Sequence, residues 1–134
     1  MYLSLLKEEQ KGVCLELACE MAFLDNDFSE QEKLMIESYC DEMRMEVPPV
    51  IRARSMAELI RTIKEDWEER EKKIVLFEII GLAMIDSNYD EEERKSIVSM
   101  TEIFGLTDEF RDECEILLKE YVGMQSRMNT LVLG

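Results

Sequence analysis

The chain has 134 residues, 46% of them hydrophobic, with 31 acidic against 16 basic side chains and a formal net charge of −15. A chain of this length closes one core, and its charge opposes contact with nucleic-acid phosphates or anionic lipid while favouring cations and basic partners. Histidine is absent, which removes the commonest zinc ligand and the commonest general base at neutral pH.

The opening MYLSLLKEEQ lacks the basic start and long apolar stretch of a signal peptide, so a cytoplasmic location is expected. Leu15, Ala18, Cys19 and Ala22 then lie at i, i+3, i+4 and i+7, the stripe of a half-buried helix. An acidic connection follows, AFLDNDFSEQE over 22–32, and its Ser29-x-x-Glu32 pattern fits a capping box opening the next helix. That helix carries Ile36, Tyr39, Cys40 and Met43 on one side. Pro48 and Pro49 in EVPPVIRAR end it, because proline cannot continue a helix; the segment is an intradomain connection. Ser55-x-x-Glu58 opens a third helix with Met56, Leu59, Ile60, Ile63 and Trp67 on one face. Arg52, Arg54, Arg61, Lys64, Arg70, Lys72 and Lys73 concentrate positive charge in this middle region, either solvated or orienting an assembly.

The second half repeats the first. Leu76, Ile79, Ile80 and Ala83 restate the first stripe, AMIDSNYDEEE over 83–93 restates the acidic connection at an offset of 61 residues (86 − 25), and Asp90-x-x-Glu93 restates the cap. Ile97, Met100, Thr101 and Phe104 follow, and a counterpart of the third helix begins near Thr107. The run Ile74 to Ile85 is interrupted by Glu78 and is too short to cross a bilayer, so no direct membrane insertion is expected. The prediction is one all-α domain over 1–134, a compact bundle of about six to seven helices with repeats at about 15–67 and 76–128. Cys14, Cys19, Cys40 and Cys114 show no C-x-x-C spacing and are expected to be reduced core thiols.

The last helix carries the longest apolar seam, with Phe110, Cys114, Leu117, Tyr121, Met124, Met128 and Leu131 alternating steps of four and three. Such a seam either lies across both repeats and closes the core, or offers Tyr121, Met124, Met128 and Leu131 to a partner helix or a second copy.

The acidic connections carry what chemistry the sequence offers. Asp25 and Asp86 extend the buried stripes to helix C-termini, where free carbonyls already place partial negative charge. Either turn and cap hydrogen bonds or a bound cation compensates. Asp25, Asp27 and Glu32 in one connection, and Asp86, Asn88 and Glu93 in the other, supply hard oxygen donors suited to Ca²⁺ or Mg²⁺. Neither connection is an EF-hand, since Glu30 and Glu91 stand where that loop needs Gly and Ile36 and Ile97 where it needs a bidentate Glu. These acids are expected at solvated helix ends, which argues against raised pKa values and hence against catalysis. No Gly-rich phosphate loop is present.

A helix, a small residue, x-x-Asp, a turn, an aromatic residue, Ser or Asp, and then Glu at the third position of the next helix, all duplicated, resembles the tellurite-resistance TerB-like family. The resemblance spans about Leu5 to Leu131. It implies a compact helical bundle with an internal duplication, a non-enzymatic role in stress responses, and association with a protein partner, basic or belonging to a membrane-associated complex. It also implies metal binding by the loop Asp, here Asp25 and Asp86, and by the following Glu, here Glu32 and Glu93. Family loops usually carry Gly after that Asp, where this chain has Asn26 and Ser87. The alternative is a metal-free scaffold or homodimer using the terminal seam.

Overall fold

The computed structural model describes residues 1–22, 30–44, 54–84 and 89–134, without the side chains of Gln31 and Glu32. After a 3₁₀ turn at Leu3–Leu5, six α-helices follow among the described residues: α1 (Glu8–Ala22), α2 (Glu30–Met43), α3 (Met56–Asp66), α4 (Glu69–Met84), α5 (Glu91–Ile103) and α6 (Asp108–Leu133).

The two halves match helix by helix. The offset of 61 residues carries Glu8 to Glu69, the starts of α1 and α4, and Glu30 to Glu91, the starts of α2 and α5. It extends to the ends. Gln10 Oε1 accepts the Lys7 N–H at 2.9 Å before α1, and Glu71 Oε1 accepts the Glu68 N–H at 3.1 Å before α4, so the same position caps both helices. Beyond α2, Arg44 adopts φ 57°, and the residue 61 places later, Gly105, adopts φ 71° beyond α5. Glycine takes this left-handed geometry freely, and arginine only at a cost.

Capping chemistry fixes two further helix starts. Ser55 Oγ accepts the Glu58 N–H at 3.2 Å and Thr107 Oγ1 accepts the Phe110 N–H at 3.1 Å, opening α3 and α6. Between these two caps the offset is 52 residues (107 − 55). The first copy therefore carries a longer connection, the one containing Pro48 and Pro49, than the few residues between α5 and α6.

Helices α1 and α4 pack together at the centre, α2 and α3 flank α1, and α5 and α6 flank α4. The predicted stripes are buried: Leu15, Ala18, Cys19 and Ala22 on α1, Leu76, Ile79, Ile80 and Ala83 on α4, and the corresponding faces of α2 and α5. Central α1 and α4 are buried on several sides, so their apolar residues extend well beyond one stripe to Leu17, Met21, Val75 and Leu82. Thr101, the polar member of the α5 stripe, donates its hydroxyl to the Ile97 carbonyl at 2.7 Å, which removes the cost of burying it. All four cysteines are buried.

The terminal seam does not close the core along its length. Cys114 is buried and Phe110 half-buried, but from Leu117 onward every seam residue is exposed. The reason is length: α6 has 26 residues against 11 in α3, about 39 Å of helix, and its last turns run past the end of the bundle.

Candidate interaction surface

Of the six predicted metal-ligating residues, Asp25, Asp27, Asp86 and Asn88 lie outside the described residues, as does the side chain of Glu32. Glu93 is described, and it corrects the expectation of a solvated acid, being only 4% exposed. Its N–H donates to Asp90 Oδ1 at 2.8 Å, so Asp90 caps α5 as expected. Among the described residues no three Cys, Asp or Glu side chains converge as a metal group.

Two further carboxylates are buried, and no local pattern announces the role of either. Glu16 on α1 meets the Arg54 guanidinium through both oxygens, Nε lying 3.3 Å from Oε1. The contact pins the entry to α3 against α1, and the carboxylate hydrogen bond raises the arginine pKa further. Glu78 on α4 accepts the Tyr2 N–H at 3.0 Å and the Met1 ammonium at 2.8 Å, while its carbonyl accepts the Tyr39 hydroxyl at 2.8 Å. The residue that interrupts the apolar run of α4 thereby anchors the start of the chain and α2. Burial, with the nearby Glu78 carboxylate adding to it, pushes the Tyr39 hydroxyl pKa well up.

The predicted partner-binding residues form a coherent feature. Tyr121, Met124, Met128 and Leu131 are 44%, 51%, 51% and 84% exposed, and their steps of three and four put them on one side of α6. Gly123 does not end the helix. Between Tyr121 and Leu133 the only charged side chain is Arg127, in a chain that carries −15 overall. The stripe is thus apolar and nearly uncharged on a strongly acidic molecule.

The stripe runs without a break into a groove of about 500 Å³ between α4, α6 and the N-terminal turn. Phe110, Cys114 and Leu117 of the seam, Ile74 and Phe77 of α4, and Leu5 line it, with Glu69, Arg70, Lys73 and Glu113 among its charged neighbours. Tyr2 stacks edge-on against Phe77 with ring centroids 5.7 Å apart, and Lys73 sits 5.5 Å above the Phe110 ring. Burial, reinforced by Glu115 and Glu113, pushes the Cys114 thiol up to about 11, so at neutral pH it is a packing group and not a nucleophile. Comparison with known proteins gave no matching family model, curated protein or solved structure.

Proposed function

We propose that the protein is a non-enzymatic, TerB-like stress-response module that engages a protein partner through the exposed face of α6. The carrying observation is the stripe Tyr121, Met124, Met128 and Leu131, exposed and continuous with the groove at Phe77 and Leu117. Left in water, such a face forgoes roughly 25 cal/mol for each Å² of apolar surface that a partner would cover. The absence of histidine and the raised thiol pKa values support a role in binding over catalysis. The test is a photoactivatable cross-linker in place of Met128 in living cells. Protein adducts from that position support the reading, and illumination that yields none overturns it.

A cation role for the acidic connections is the second part of the proposal. Its support is the duplicated set of oxygen donors, together with the burial of Glu93 at the start of α5, beside the second connection. Calorimetric titration with Ca²⁺ and Mg²⁺ after chelation tests it, and a flat trace at about 0.1 mM protein removes the cation from the reading.

A further inference from the structure

We propose that the partner of the α6 stripe is a second copy of the same chain, bound with the two helices antiparallel; this rests on the reading of that stripe as a protein-contact surface. The seam assigns core positions Cys114, Leu117, Tyr121, Met124, Met128 and Leu131 on two interleaved heptad positions. In an antiparallel pair these positions face each other in opposite order, and most overlap comes when Tyr121 meets the partner copy's Met124. Leu117 then meets Met128, and Leu131 reaches Cys114, which lines the groove together with Ile74 and Phe77. Each copy's tip thus covers the other's groove, and the interface closes on itself as a two-fold dimer.

Charge decides the direction. The residues flanking the seam on one side are Glu120 and Arg127, both exposed, and neither makes an ion pair within the chain among the described residues. Antiparallel pairing brings Glu120 of each copy beside Arg127 of the other, two opposite-charge contacts by symmetry. Parallel pairing instead sets Glu120 against Gln125 and Arg127 against Val132, with no charge match. It would also set two bundles of strongly negative chains side by side, whereas antiparallel pairing places them at opposite ends of the shared helices. The outer part of the contact zone, Tyr121 to Leu133, has no acidic residue, which lessens the repulsion between two negative chains there.

Sedimentation equilibrium of the full chain, with circular dichroism to confirm folding, tests the proposal. The unsubstituted protein is expected to be dimeric at about 0.1 mM, and Met128→Glu monomeric with unchanged helicity. Glu120→Arg and Arg127→Glu each weaken the dimer roughly tenfold, because each turns two attractions into two repulsions, and the double exchange restores it. Mixed Leu117→Cys and Met128→Cys chains should cross-link to each other, while neither alone cross-links to itself. A monomer at all concentrations overturns the dimer, and so does self-linking of Met128→Cys, which signals parallel helices. Adducts from position 128 to other proteins, in a chain that stays monomeric, would leave the contact surface standing and remove only the second copy.

Discussion

Arg54→Met provides a severe test of how the first repeat is held. Glu16 keeps only 7% of its side-chain surface in water, and Arg54 keeps 38%. Removing one member of a pair buried on both sides costs about 3–5 kcal/mol, chiefly by stranding the other charge. Here more than a third of the arginine is solvated, so water replaces part of what is lost, and the figure is discounted to about 2 kcal/mol. For a domain of this size that lowers Tm by on the order of 8 °C. The assay is urea denaturation followed by circular dichroism on four proteins: the parent, Arg54→Met, Glu16→Leu and the double variant. Glu16→Leu leaves a cation that is already partly in water and is the milder single change. The double variant leaves no stranded carboxylate, so it is expected to be more stable than Arg54→Met alone, with a coupling of about 1 kcal/mol or more. Additive losses, or a loss below about 0.5 kcal/mol in Arg54→Met, would refute the view that this contact neutralises a buried charge.

Arg44→Gly is expected to stabilise by about 1 kcal/mol, since it relieves a left-handed arginine at the position where the second copy carries Gly105; a lower urea midpoint would contradict this. Gly81→Ala meets only the Leu118 side chain, Cδ2 at 3.5 Å and Cδ1 at 3.9 Å, both ordinary contacts, and should raise stability by about 0.5–1 kcal/mol in the same measurement. Cys114 and Cys40 have thiol pKa values raised by burial above 9.0. The unfolded chain therefore loses these protons first as pH rises, so their contribution is full below pH 9.0 and is lost through the folded values, about pH 11 for Cys114. Stability measured from pH 8 upward should fall across that window, and a flat profile would mean that the thiols are not buried in solution. Asp86→Ala is expected to abolish any Tm increase produced by millimolar Ca²⁺ or Mg²⁺; an undiminished increase would place the cation elsewhere.

The helices and the doubling were legible because their signals are local. Stripes at i, i+3, i+4 and i+7 depend only on residues within two turns, and Leu15 to Ala22 and Leu76 to Ala83 are buried as expected. Caps at Ser55, Asp90 and Thr107 are equally short-range. The caps of α1 and α4 were also present in the text, as Lys7-x-x-Gln10 and Glu68-x-x-Glu71 at the same offset, but neither begins with Ser, Thr, Asp or Asn. What could not be read joins distant residues. Glu16 and Arg54 are 38 positions apart, Tyr2 and Glu78 are 76 apart, and nothing near Glu78 announces that its carboxylate receives a backbone N–H. Burial of Glu93 escaped for a related reason: a glutamate at the third position of an acidic first turn resembles its exposed neighbours Glu91 and Glu92.

The fate of the terminal seam was undecidable in principle, because the same heptad pattern serves a helix lying on its own core and one lying on another chain. Length decides it. In the first copy α3 stops at Asp66, where buried Trp67 turns extended and its N–H closes the last turn on Ile63. In the second copy α6 passes through Cys114 and Leu118, its last buried contacts, and continues to Leu133. Duplication gives both halves the same inner helices, so the central α1 and α4 pair explains stability and nothing that distinguishes one end of the molecule from the other. The asymmetry lies in the unequal third helices. Among the described residues only the second copy projects an apolar face beyond the bundle, where Leu117 meets the groove that Tyr2 and Leu5 also line. A surface built where the third helices diverge is not explained by the packing that the two copies share. That is the reason a binding partner is proposed for it.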